Sequence, residues 1–183
     1  TGMDFGAGGI ESARKNYGNL ARFILIDRNT DVSSFLNSFD VVVCSEVIEH
    51  IEDQLSFLRM LSGFLKPKGL LLLTTPNGLI WPAYKSREEF LRKILRVRSY
   101  LQPVENWRTP DELKVLLEKS GFMILEHRGM IFYKFGMPPW GWAIRLQWYS
   151  YNLLRKFNKA QNYFRKSLAR GLYQGLICQK INK

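Results

Sequence analysis

The chain has 183 residues, 46% of them apolar and 14% aromatic, which suffices for one globular domain with its own core and would be a squeeze for two. Its two cysteines, Cys44 and Cys178, suit neither a disulfide framework nor a zinc spacing, and no signal peptide or apolar run of membrane-spanning length is visible, so the expected setting is reducing and cytoplasmic. The net charge of +11 is unevenly placed: residues 1–80 carry 7 Lys/Arg against 9 Asp/Glu, whereas residues 81–183 carry 20 against 7, which points to an anionic partner for the second half.

Residues 2–5 read as a short strand running into a glycine turn at 6–9, with a helix from about 10 to 19. Residues 23–27, FILID, read as a second buried strand ending on Asp27, and residues 41–43, VVV, as a third bounded by Asp40. The heptapeptide CSEVIEH at 44–50 then opens a helix that continues through Leu55, Leu58, Leu61 and Leu65 and stops at Lys66-Pro67-Lys68-Gly69. Residues 70–74, LLLLT, are the most apolar strand, closed by Thr75-Pro76-Asn77-Gly78. Apolar strands alternating with helices predict an α/β fold with a mostly parallel sheet covered on both faces.

Beyond Gly78, Ser86 and Glu89 spell a capping box for a basic helix over 86–98. Thr109-Pro110-Asp111-Glu112 starts a further helix ending at Ser120-Gly121, and residues 122–125 are strand-like. A Pro/Trp/Tyr-rich stretch over 137–151 leads into interleaved basic and apolar residues and then an edge strand at 175–178. One domain is expected over 1–183: a core at 1–78, a basic lid at 79–107, a late helix and strand at 108–136, and a basic aromatic extension at 137–183.

An acid at a strand end, then glycines, then a helix N-terminus is a nucleotide-type arrangement, because free backbone N–H groups face outward at such a switch. A dinucleotide fingerprint would want a small residue at Glu11, which argues against hydride transfer. The ordered set of motifs resembles the class I S-adenosylmethionine-dependent methyltransferases. Asp4, Gly6 and Gly8 match the family's first motif, Asp/Glu-x-Gly-x-Gly-x-Gly, while Ile10 stands at the third glycine and Gly9 lies one place early. Residues 64–77 resemble the family's helix, L-K-P-G-G turn and fifth strand, with Lys68 for one glycine, and residues 108–122 its late helix and sixth strand.

The resemblance implies a Rossmann-like, doubly wound fold. It implies that Asp4, Gly6, Ala7, Gly8 and Gly9 pass beneath S-adenosylmethionine, that Asp27 bonds the ribose hydroxyls, and that Cys44, Ser45 and Glu46 lie beside the cofactor. Only twelve residues separate Asp27 from Asp40, where the family fits a helix and a strand, so one βα unit is lacking. Asp27 then suits either the second- or the third-strand acid; the sheet is reduced, or part of the chain lies outside this sequence.

As a helix, CSEVIEH would set Glu46, Glu49 and His50 at i, i+3 and i+4 on one face. Three readings stay open. A Glu-x-x-Glu-His cluster at this place is similar to that of ubiquinone-biosynthesis O-methyltransferases and small-RNA 2′-O-methyltransferases, where it can hold a divalent cation such as Mg2+ or Mn2+; carboxylate and imidazole donors suit such an ion. Without a metal, His50 with Glu49 serves as general base or lines the pocket. Structurally, Ser45 caps the helix and the two glutamates favour its N-terminus. His127, the other histidine, is a weaker ligand candidate.

Ligands of such sheets sit at the carboxyl ends of the strands, so the segment after Asn77, with Trp81, Tyr84 and the basic helix, is expected over the acceptor. The expected function is O-methylation of a small-molecule, lipid-linked or saccharide hydroxyl, in the cytoplasm or at an anionic membrane surface. An RNA-directed methyltransferase is the second reading, weakened by the lack of a histidine around 105–108 and of an RNA-binding motif; a catalytically silent scaffold is the third.

Overall fold

The computed structural model describes residues 1–27, 29–82, 85–86, 89–90, 93, 103–132 and 171–181. The chain forms two compact units, Thr1–Phe35 and Leu36–Lys183.

In the first unit, β1 (Gly2–Asp4) leads into α1 (Ala7–Tyr17) and then β2 (Phe23–Leu25). The two strands pair in parallel with Asp4 opposite Leu25, so α1 is the crossover between them. Ile10, 3% exposed, is the buried residue of α1. Arg14 donates from both Nε and Nη2 to the Phe23 carbonyl at 3.0 and 2.8 Å, which ties the last turn of the helix to β2. Because β2 lies directly beside β1, Asp27 follows the first strand's immediate neighbour. Between Asp27 and Asp40 stands only a 3-10 turn, Ser33–Phe35, so the described chain carries no helix and strand there.

The second unit is a four-stranded sheet in the order β3 (Phe39–Ser45), β4 (Leu65–Pro76), β6 (Gly171–Lys180), β5 (Phe122–Phe132). β3 and β4 are parallel, and β6 runs antiparallel to both its neighbours, so β3, β4 and β5 share one direction. The stretch at 175–178, expected at an edge, is therefore central: Leu71 faces Cys178 on one side and Ile124 faces Cys178 on the other. Edge character was inferred from its position in the chain, and pairing between distant segments leaves no local mark.

Two helices lie on this sheet, α2 (Gln54–Phe64) and α3 (Pro110–Lys119). Leu58, Leu61 and Phe64 of α2 and Leu113 and Leu117 of α3 are buried, as are Leu71, Leu73, Leu176, Cys44 and Cys178 of the sheet. Burial at this scale contributes roughly 25 cal/mol per Å2 of apolar surface. On the opposite face Val41 and Val43 of β3 are 47% and 68% exposed.

The capping box reads true at α3: Glu112 N donates to Thr109 Oγ1, Thr109 N donates to Glu112 Oε2, and Pro110 takes the first helical position. Gly121 ends the helix at φ +86°, a conformation that favours glycine. Lys66-Pro67-Lys68-Gly69 is the bulged entry of β4, where the register jumps from Phe39↔Leu65 to Val41↔Leu70. Lys68 sits there at φ +63°, the left-handed region in which the family's motif carries glycine. The box expected at Ser86 is not formed. Trp81, Pro82, Lys85 and Ser86 are already helical, and Ser86 Oγ donates to the Pro82 carbonyl four residues back. Most of the basic helix, Tyr84, and all of 133–170 lie outside the described residues. No helix of the described residues is long and apolar enough to cross a membrane.

Candidate active site

The first unit brings Asp4, Gly6, Ala7, Gly8, Gly9 and Asp27 to the carboxyl end of its two parallel strands. Asp4 Oδ1 accepts from Gly6 N at 2.7 Å, an Asx-type turn that sends the chain from β1 into α1. The helix begins at Ala7, three residues earlier than its expected start. Gly8 and Gly9 therefore belong to the first helical turn, and the turn itself is Phe5-Gly6. Helix N-terminal N–H groups have no partner within the helix, and Gly6, at the cap position, offers no side chain to them. The positive end of the dipole is thus left open.

A Cβ built on Gly8 would meet nothing within 4 Å, and one on Gly9 would meet only Asp4 Oδ2 at 3.9 Å. Among the described residues, packing does not require glycine at either position, and each costs the helix about 0.5–1 kcal/mol relative to alanine. Bare backbone at an open helix start fits S-adenosylmethionine approaching closely there. Asp27 closes its own loop, accepting from Asn29 N at 2.9 Å and Thr30 Oγ1 at 2.7 Å; the Thr30 hydroxyl first, then the Asn29 N–H, hold its carboxyl below the usual range.

The second unit builds CSEVIEH differently from a helix. Cys44 is the buried end of β3, its thiol pushed up to about 12, chiefly by burial. Glu46 has φ +55°, which turns the chain out of the strand, and Ile48–His50 is a single 3-10 turn. α2 starts only at Gln54, capped by Asp53 accepting from Ser56 N at 3.0 Å. Ser45 is thus a strand residue and not a helix cap, and the i, i+3, i+4 face does not exist.

The carboxylates are held by the neighbouring strand instead. Thr74 Oγ1 donates to Glu46 Oε1 at 2.9 Å and Ser45 Oγ lies 2.8 Å from Thr74 Oγ1, so Ser45 donates to Thr74 in turn. Thr75 Oγ1 donates to Glu49 Oε2 at 3.1 Å. Glu49, 2% exposed, has its pKa raised by burial, and its Oε1 lies 3.8 Å from His50 Nε2. His50 Nδ1 lies 3.1 Å from the Val104 carbonyl. A carbonyl can only accept, so Nδ1 carries a proton, and in the neutral ring Nε2 is then the atom with the lone pair.

Glu46, Glu49 and His50 do not converge as a ligand set. Among the described residues no three His, Cys, Asp or Glu side chains are arranged to hold a metal ion.

Four side chains of this region carry no signal in the sequence: Gln54, Asn106, Arg108 and Gln174. Gln174, fully buried on β6, donates to the Arg108 and Pro76 carbonyls at 2.7 and 3.3 Å, and its Oε1 lies 3.0 Å from His127 Nε2. His127 is thus a partner in the sheet, its pKa lowered by burial. Trp107 donates from Nε1 to Glu105 Oε2 at 2.6 Å, and its ring lies 4.7 Å from that of Trp81. Apart from the Trp107–Glu105 bond, each contact joins residues too far apart in the chain for periodicity to reveal.

Although the Glu46 side chain reaches solvent, desolvation pushes its pKa up to about 7. A carboxyl whose folded pKa is raised stabilises the fold below its unfolded pKa, and that contribution is lost as pH rises through the folded value. Stability is therefore expected to decline between about pH 4.5 and 7. Glu46→Gln, whose amide oxygen still accepts from Thr74, should flatten this part of a Tm-versus-pH series; an unchanged slope would remove Glu46 as its source.

A family profile described as "Methyltransferase domain" matches residues 2–127. The ubiquinone biosynthesis O-methyltransferase of Cereibacter sphaeroides (strain ATCC 17025) is 31% identical over 127 residues, covering 64% of this chain and 47% of that protein. That of Dinoroseobacter shibae is 34% identical over 101 residues, covering 51% and 38%. The chain thus spans under half the length of these relatives. Among solved structures, a S-adenosylmethionine-dependent methyltransferase of Thermotoga maritima, titled a possible histamine N-methyltransferase, aligns at TM-score 0.64 and 15% identity over 98% of this chain and 72% of its own. One from Methanosarcina mazei aligns at 0.60 and 17% over 100% and 82%. With the profile spanning both the open helix start of the first unit and the Glu49–His50 turn of the second, the chain belongs to the methyltransferase-domain family, of the class I S-adenosylmethionine-dependent type.

Proposed function

We propose that the protein methylates a hydroxyl group of a small-molecule, lipid-linked or saccharide acceptor, with S-adenosylmethionine as donor. The observation that carries this is the His50 ring, bonded through Nδ1 to a carbonyl, with its Nε2 lone pair 3.8 Å from a buried carboxyl group. S-adenosylmethionine, when bound, supplies a methyl group already activated on a sulfonium, so the chain's task is to hold, orient and deprotonate. The N–H groups at the start of α1 and the carboxylates of Asp4 and Asp27 would hold the donor. His50 Nε2 takes the acceptor's hydroxyl proton, and Glu49 stabilises the resulting imidazolium. The names of the O-methyltransferase relatives support the choice of oxygen as the methylated atom.

The charge of residues 81–183 supports an anionic lipid surface as the place where the acceptor is met. It equally favours RNA as the runner-up substrate, and the two part on binding over a salt series, since phosphate contacts along RNA give a steep slope. Ile10 at the third-glycine position does not favour a catalytically silent scaffold. Ile10 is the buried residue of α1, so that departure is spent on packing and leaves Gly8 and Gly9 bare.

Calorimetric titration with S-adenosylhomocysteine tests the donor site. Gly8→Ala should raise Tm, because alanine is the better helix former by about 0.5–1 kcal/mol, while weakening S-adenosylhomocysteine about tenfold or more. No heat with the wild-type chain would remove the enzyme, and unchanged affinity in Gly8→Ala would move the donor elsewhere.

A further inference from the structure

Gln54 is the first residue of α2, yet it makes its three side-chain hydrogen bonds away from that helix. It is 2% exposed; Nε2 donates to the Ile48 carbonyl at 2.8 Å and the Asn106 carbonyl at 2.9 Å, and Oε1 accepts from Arg108 Nε at 2.7 Å. Asn106 completes the join, donating from its backbone N to the Glu49 carbonyl at 2.7 Å and from Nδ2 to the Ile51 carbonyl at 3.1 Å. Residues 104–108 have no regular secondary structure, so no ladder sets their register on the Ile48–His50 turn. These bonds do. The Val104 carbonyl that meets His50 Nδ1 lies two residues before Asn106, at the end of this segment away from the Arg108 carbonyl that Gly78 and Gln174 hold.

We propose that Gln54, acting through Asn106, is the positioning residue that sets residues 104–108 on the Ile48–His50 turn and thereby holds His50 as the Nδ1–H tautomer with Nε2 free to accept a proton. The proposal rests on His50 as the proton acceptor of the reaction. Gln54 touches no reacting atom in this scheme; it decides which ring nitrogen is basic and where that nitrogen points. A glutamine suits the task because one amide both donates and accepts: the donors address two carbonyls and the acceptor addresses a guanidinium.

The test needs no acceptor. The full chain is labelled with 15N-histidine, and long-range 1H–15N correlations are recorded at about pH 8, where imidazole is neutral. His50 is assigned by its loss in His50→Gln. The wild-type chain should show the Nδ1–H pattern at His50. Gln54→Glu keeps the size and the acceptor for Arg108 but lacks the donors, and should give a mixed or Nε2–H pattern; Gln54→Met, lacking both, should do the same. S-adenosylhomocysteine affinity should stay within about threefold of wild type in each. An Nε2–H pattern in the wild type overturns the proposal, even if neither variant folds. So does an Nδ1–H pattern that survives both substitutions, since a merely structural Gln54 would lower Tm and leave the tautomer alone. Should the wild type bind no S-adenosylhomocysteine while the tautomer responds to Gln54, the methyltransferase reading fails and the positioning role stands.

Discussion

Replacing His50 by alanine is expected to lower kcat for methyl transfer by about 10²–10⁴-fold, the usual worth of a positioned general base. S-adenosylhomocysteine affinity should remain within about threefold of wild type, because the proposed role of His50 is toward the acceptor and not the donor. The loss follows from the ring's two bonds. Nδ1 is committed to Val104, so Nε2 is the one atom of the side chain able to take a proton, and the buried Glu49 carboxyl 3.8 Å away is placed to favour the charged ring. His50→Gln keeps a donor for the Val104 carbonyl but has no comparable base. It should fold like wild type and turn over like alanine. Release of S-adenosylhomocysteine measures turnover, and retained turnover in His50→Gln would transfer the base role elsewhere.

The largest effect on folding is expected from Gly78→Ala. A Cβ there would lie 2.6 Å from Arg108 C and Thr109 N and 2.9 Å from Arg108 O, all backbone atoms, so no flexible side chain can give way. Gly78 N also donates to the Arg108 carbonyl at 2.9 Å, the same oxygen that accepts from Gln174, and Thr109 is the cap of α3. Relief of the clash therefore disturbs two hydrogen bonds and a helix start together. A cost of about 3 kcal/mol is expected, from overpacking with these lost bonds. In Tm this is a fall of roughly 6–12 °C for a chain of this size. Chemical denaturation measures it, and a change below about 0.5 kcal/mol would mean that the two backbones do not approach as described.

The local devices of the fold were legible because their causes are local. Thr109, Pro110 and Glu112 cap a helix through atoms three residues apart, and the strand before Asp27 announces itself by an apolar run. CSEVIEH misled for a related reason. Spacing of i, i+3 and i+4 places side chains together only if the backbone is helical, and the left-handed Glu46 breaks that condition. The true helix start was marked by Asp53 immediately before the periodic run, a cap signal outweighed by the charged cluster upstream. What holds His50 and Glu49 in position, the Val104 carbonyl, Asn106 N and the Thr75 hydroxyl, spans 26 to 57 residues of chain and has no periodic signature.

The central place of β6 bears on how the molecule is made. β4 and β5 leave the ribosome well before β6, and each then waits with an unsatisfied row of amides and carbonyls along an apolar strand. Closure across roughly a hundred residues of sequence is slow, and the waiting edges invite pairing with other nascent copies. A chaperone that shields β4 until β6 has emerged would lower that risk.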